Sequence, residues 1–174
     1  MNNDKTSNLM EDTLANLGIL KDYDFIQTET NNDRLTNWLD NNAGIDGFIK
    51  QKETDIVYSL ASRIRNYTTK IYPEFTIRQE KYENHKSEYI KRLEAIKNGG
   101  LFPTFTIQSW YSGSVFVAGA MIKTKDLYSF ITDYPIAVKH GYSDRDFIAV
   151  TWNNLQEISS SIMIVTSSLF NQLN

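Results

Sequence analysis

The sequence predicts one α/β domain, and three observations lead there. The chain has 174 residues, which suits a single domain of ordinary size. Hydrophobic residues make up 41% and charged residues 22%, enough for a packed core and against global disorder. The apolar spacing also switches between the period of two that marks strands and the period near 3.6 that marks helices.

The elements follow in order. Leu9, Leu14 and Leu17 predict a short helix ending at Gly18, and Leu35, Trp38 and Leu39 share one face of a second, stopped by Asn41–Asn42–Ala43–Gly44. Strands are predicted at 45–51 and 56–65, across the polar turn Lys52–Asp55, and at 74–78 after Pro73. Ile56, Tyr58, Leu60 and Ile64 share one face of the second strand. Their short connections allow the three to form an antiparallel meander. Tyr89, Ile90, Leu93 and Ile96 then recur at helical spacing, closed by Asn98–Gly99–Gly100. Strands at 105–110 and 115–122 are joined through Ser112–Gly113. Thr124 is the expected cap of a helix with Leu127, Phe130 and Ile131 inward. A strand at 147–152 precedes a final helix opened by Asn153, with Leu155, Ile158, Ile162, Val165 and Leu169 on its stripe.

Composition excludes several classes. There is no cysteine, hence no disulfide scaffold and no thiolate metal site. The two histidines, His85 and His140, lack paired spacing and read as surface residues, so a structural zinc site is not expected. The first residues carry acids and no apolar core, unlike a secretory signal, and the run Ile162–Val165 is far too short to cross a bilayer. The expected compartment is the cytoplasm, with no membrane partner.

Charge is unevenly spread. Residues 1–60 hold 5 basic and 11 acidic side chains, residues 63–97 hold 9 and 5, and residues 98–174 hold 4 and 5, giving the net −3 of the chain. A protein that binds nucleic acid nonspecifically over its whole surface is usually basic throughout, because phosphate neutralisation drives the binding. Here any basic face comes from the middle segment.

The predicted order of helix, three strands, helix and strand resembles the core of the PD-(D/E)xK nucleases. The most specific piece is Ala43–Gly44–Ile45–Asp46–Gly47–Phe48–Ile49, similar to the place where that family puts its first metal-binding carboxylate. Such nucleases hold Mg²⁺ between carboxylates and the substrate phosphate to activate water and stabilise the leaving oxygen. The family's second acid and its lysine stand two apart on the next strand, so that both point the same way. In Tyr58–Ser59–Leu60–Ala61–Ser62–Arg63–Ile64–Arg65 those slots fall on Ala61 and Arg63. Arginine holds a phosphate but cannot act as a base, and alanine binds no metal. Some members of the fold move the missing acid to the following helix, where Glu88 stands with Lys91 nearby.

The resemblance thus implies a divergent or inactivated restriction-endonuclease-like member. Its parts are a helical segment at 1–42, a core at 43–110 with the αβββαβ order and a mixed sheet, and a β-α-β-α extension at 111–174. Asp46, Glu88 and Lys91 are the implied catalytic residues, and Asp46 and Glu88 the implied Mg²⁺ ligands. Arg63, Arg65 and Arg78 are the implied nucleic-acid contacts. A phage or mobile-element origin fits such a protein.

Each residue also has a plainer reading. Asp46 reads equally as a strand-entry residue, and Arg63 and Arg65 as a solvated strand face. Glu88 and Arg92, four apart, suit a surface ion pair. Arg78 with Glu80 and Lys81 suits a polar strand end. Trp110 and Tyr111 suit either base stacking or hairpin packing. A non-enzymatic protein-interaction or inhibitor domain with an acidic N-terminal region is the competing function, since fold alone does not fix function.

Overall fold

The computed structural model describes residues 3–27, 34–79, 86–135, 139–141 and 146–173, and shows a mixed α+β fold built on a mixed sheet. Helix α1 (Asn3–Asn16) ends as the leucine spacing predicts, with Gly18 in the left-handed region at φ 77°. A 3₁₀ turn (Ile19–Lys21) leads into β1 (Tyr23–Gln27), whose burial alternates along the strand. Helix α2 (Arg34–Trp38) widens into a π-turn over Leu39–Ala43 and stops at Gly44, φ 62°. Then come β2 (Gly47–Gln51), β3 (Val57–Asn66), β4 (Glu74–Arg78) and α3 (Glu88–Asn98). They are followed by β5 (Phe105–Ser112), β6 (Val115–Lys123), α4 (Thr124–Asp133), β7 (Lys139–Gly141), β8 (Phe147–Thr151), α5 (Trp152–Ile158), β9 (Met163–Thr166) and α6 (Phe170–Leu173).

The larger sheet runs β1-β2-β3-β5-β6-β9. Every pairing is antiparallel except β3 with β5, which lie parallel with Ala61 opposite Thr106, Arg63 opposite Gln108 and Arg65 opposite Trp110. Parallel neighbours need a long crossover, and here it contains β4 and α3. A second, antiparallel sheet has the order β4-β8-β7.

Alternation along the strands splits the core in two. Leu60, Ile49, Ile107 and Met121 pack under α1 against Met10, Leu14 and Leu17. On the opposite face Phe75 and Ile77 of the second sheet meet Val117, Leu127, Tyr128, Trp152 and Leu155. Burying each of the larger apolar side chains contributes on the order of 1.5–3 kcal/mol, which holds the second sheet in place.

Several expectations change. The meander exists, but its three strands are β1, β2 and β3. Tyr23–Gln27 joins as an unforeseen edge strand, and β4 leaves to pair with β8. The apolar side chains of β4, Phe75 and Ile77, find a deeper core there than a sheet edge offers. The single tail helix is instead α5, β9 and α6. Ser159–Ser160–Ser161 interrupts the stripe, and the β-branched run after it extends the main sheet beside β6. Thr124 is the first helical residue rather than the cap, and its hydroxyl bonds that of Thr106 at 2.9 Å. Thr151, not Asn153, caps α5. Leu35 and Trp38 are exposed, as is Ile56 just before β3. The expected surface position of His85, and the placement of Glu80 and Lys81, lie outside the described residues, as does the side chain of His140. No helix among the described residues is long and apolar enough to cross a membrane.

Candidate functional site

Glycine 44 makes the first turn of the site. Its left-handed conformation ends the π-turn and brings the chain into β2, and its carbonyl accepts a bond from Arg92 Nη2 at 3.2 Å. A side chain here would collide, since a Cβ on Gly44 would stand 2.7 Å from Arg92 Nη2. Two residues on, Asp46 closes the β2–β3 ladder. Its N–H donates to the Leu60 carbonyl at 2.8 Å, and its Oδ2 accepts the Ser62 N–H at 2.6 Å. Burial raises the Asp46 carboxyl to about 6. The Ser62 N–H and the charge of Arg92 oppose the rise, while Asp40 and Glu88 add to it.

Glu88 sits in the first turn of α3, which Ser87 caps by accepting the Ile90 N–H. One carboxylate oxygen pairs with Arg63 Nη2 at 2.9 Å and the other with Arg92 Nη1 at 2.9 Å. The ion pair to Arg92 is the one that helical spacing predicts. It is no surface pair, though, because the Arg92 side chain is only 8% exposed.

Across the sheet, Ala61, Arg63 and Arg65 project from β3 on the side away from α1. Arg63 Nη1 and Arg65 Nη2 both donate to Thr76 Oγ1, at 3.2 and 2.8 Å. Thr76 in turn donates its N–H and hydroxyl to Gln108 Oε1, at 3.0 and 3.2 Å. Gln108 is fully buried, and its Nε2 has no hydrogen-bond partner among the described residues. Burial pulls both guanidinium pKa values below their ordinary level. Glu88 pulls Arg63 back, and the neighbouring arginines push both lower.

Asp46, Arg63, Arg78, Glu88 and Lys91 line one cavity of about 620 Å³. Its wall carries five cations (Arg63, Arg78, Lys86, Lys91, Arg92) against three carboxylates (Asp40, Asp46, Glu88), so it favours an anion even with every acid ionised. Lys91 Nζ donates to the Asn41 carbonyl at 3.3 Å. The Arg78 guanidinium is exposed and makes no ion pair among the described residues. Arg65 lies beyond Thr76 in an adjoining cavity of about 730 Å³ that also reaches Arg63, Thr76 and Arg78. Trp110 packs inward: Arg65 lies over its ring at 5.8 Å, and its Nε1 donates to the Tyr72 carbonyl at 3.0 Å. Tyr111 is buried under α1, bonded to Thr13 and Asp12. Both aromatic residues follow the packing reading.

Thr76 and Gln108 are the site members that sequence reasoning passes over, and Arg92 enters it only as a surface partner of Glu88. The signal for Gln108 is a lone amide inside the apolar run Phe105–Tyr111, since a buried polar side chain needs partners. No protein-family model matches the chain, and no curated protein matches it.

Proposed function

We propose that this chain is a divergent PD-(D/E)xK-type protein that binds nucleic acid through its phosphates at the Asp46–Arg63–Arg78–Glu88–Lys91 cavity. The observation that carries the reading is the reach of Glu88 from the helix back to Arg63 on the strand, in the same cavity as Asp46. An α-β-β-β-α-β order around the parallel pair β3–β5, with β4 inserted, supports it. Arginine suits phosphate because its planar fork donates two parallel bonds to adjacent oxygens.

Resident Mg²⁺ does not fit the donors as they stand. Among the described residues no three His, Cys, Asp or Glu side chains gather to hold an ion. Both Glu88 oxygens are held by arginines, one Asp46 oxygen is held by Ser62, and Ala61 offers no donor. Binding is therefore the first reading. The second reading is Mg²⁺-assisted cleavage with Asp46 and Glu88 as ligands and Lys91 beside them. In its favour, Asp46 is raised to about 6 in part by the charges of Asp40 and Glu88.

The test is fluorescence anisotropy with labelled DNA and RNA at low salt, beside cleavage assays with Mg²⁺ and Mn²⁺. Binding that Arg78→Ala weakens supports the first reading. Cleavage abolished by Asp46→Ala moves the conclusion to the second. If no nucleic acid binds, or if Arg78→Ala changes nothing, the proposal is lost.

A further inference from the structure

The two cavities share one wall. Arg63, Thr76 and Arg78 line both, so the two cavities lie on either side of that wall. The character of the wall changes across that boundary. The first cavity is faced by charges. The second adds the charges of Arg65, Glu74 and Asp146 and, beside them, the rings of Tyr72, Trp110 and Phe147, with Arg65 over the Trp110 ring. About 730 Å³ lies well inside the size range of small-molecule pockets.

Two observations point to a ligand spanning this boundary. Three guanidiniums, of Arg63, Arg65 and Arg78, converge there. Thr76 bridges the first two, Glu88 pairs with Arg63, and the charge of Glu74 acts on Arg65. Behind Thr76, the fully buried Gln108 keeps an amide nitrogen without a partner among the described residues, on the lining of the first cavity. The three guanidiniums outnumber the carboxylates Glu74 and Asp146 on the second wall, so the boundary favours an anion.

Resting on the nucleic-acid reading above, we infer that the ligand is a single strand. One unpaired base enters the second cavity against Tyr72, while its phosphate lies on the Arg63–Arg65–Arg78 wall. A duplex keeps its bases stacked inside and offers that wall only phosphates. An aromatic pocket beside an arginine cluster serves bases that are free to leave the stack. Tyr72 is the accessible platform: its side chain is exposed, with Lys70 Nζ 5.3 Å from the ring centre, whereas Trp110 is buried.

The experiment compares binding of a short fluorescein-labelled single strand, the blunt duplex of the same sequence, and inorganic polyphosphate as competitor. The parent, Tyr72→Ala, Tyr72→Phe and Arg78→Ala are each measured. Tyr72 holds Trp110 through its backbone carbonyl, so changing the ring leaves that bond in place. The single strand is expected to bind roughly tenfold tighter than the duplex. Tyr72→Ala removes roughly that factor, Tyr72→Phe retains it, and competition by polyphosphate is the same in all three, since one stacked base carries an effect of that order. Arg78→Ala weakens single strand, duplex and polyphosphate alike. Equal binding of single strand and duplex, or no effect of Tyr72→Ala where Arg78→Ala is impaired, overturns the single-strand inference and leaves nucleic-acid binding standing. No binding of any nucleic acid overturns both.

Discussion

Glu88 holds Arg63 with one carboxylate oxygen and Arg92 with the other, each at 2.9 Å, and so ties the first turn of α3 to the third strand of the main sheet. Its position decides between the two functional readings. A carboxylate that neutralises two arginines tempers an anion site, whereas a carboxylate that binds metal must leave at least one of them. Glu88→Gln separates these roles. On the binding reading, the cavity becomes more positive and affinity for a single strand or polyphosphate rises, up to about tenfold from removal of one nearby charge. On the cleavage reading, any Mg²⁺-dependent activity disappears. The same variant loses stability by about 2 kcal/mol in urea unfolding, less than a fully buried pair because Arg63 and Glu88 remain 24% and 25% exposed.

Gly44→Ala and Gly99→Ala form a matched pair. Both glycines are left-handed, at φ 62° and 68°. A Cβ on Gly99 meets nothing within 4 Å, while one on Gly44 stands 2.7 Å from Arg92 Nη2. Gly99→Ala therefore costs only the backbone strain, about 1 kcal/mol. Gly44→Ala adds displacement of the Arg92 guanidinium from Glu88 and the Gly44 carbonyl, for about 3 kcal/mol in all. Equal losses in denaturant midpoint would show that Arg92 yields freely at that contact.

What is legible in the sequence follows from how local each feature is. The gathering of Asp46, Arg63 and Glu88 is readable because it needs only a glycine turn before one strand, a period of two on the next and a capped helix. The long-range choices are not. Glu74–Arg78 reads as a strand, but nothing within five residues says that it pairs with Phe147–Thr151 rather than with β3. Thr76 and Gln108 become site residues only after that choice, since their bond joins the two sheets. Tyr23–Gln27 escapes because only Tyr23 and Phe25 pack inward in a five-residue strand, while the exposed Ile26 and the inward-phase Gln27 blur the alternation. The split of the tail turns on three serines that a helical stripe can absorb on paper, although the β-branched run after them gains more beside β6.

Gln108→Glu tests whether the charge behind Thr76 governs anion binding. The substitution keeps the oxygen that accepts both Thr76 bonds and replaces the unpartnered Nε2 with an acceptor. The new carboxylate is fully buried and meets Arg63 and Arg65 only through Thr76, so the variant loses about 2–4 kcal/mol at neutral pH, and binding is read at a temperature where it remains folded. Affinity for a single strand falls roughly tenfold, because a negative charge joins the phosphate wall. Thermal unfolding and anisotropy on the same sample check both parts. Undiminished binding would remove Gln108 from the site.

Asp46→Asn isolates the effect of pH. Burial raises the Asp46 carboxyl from the ordinary 3.8 to about 6, so the folded state holds this proton more tightly than the unfolded chain does. Stability from this group is therefore complete below pH 3.8 and is lost as pH rises through about 6. At roughly 1.4 kcal/mol per unit the loss is at most about 3 kcal/mol. Asparagine keeps an oxygen for the Ser62 N–H and carries no charge to desolvate. The variant should therefore be more stable than the parent at pH 7 by about 1–3 kcal/mol, with the two converging near pH 4. Denaturant unfolding across that range measures the difference directly. A parent whose stability stays level relative to the variant between pH 4 and 7 would mean that the Asp46 carboxyl titrates as it does in the unfolded chain. The extra stability of the variant at neutral pH would then have to come from elsewhere than the buried charge.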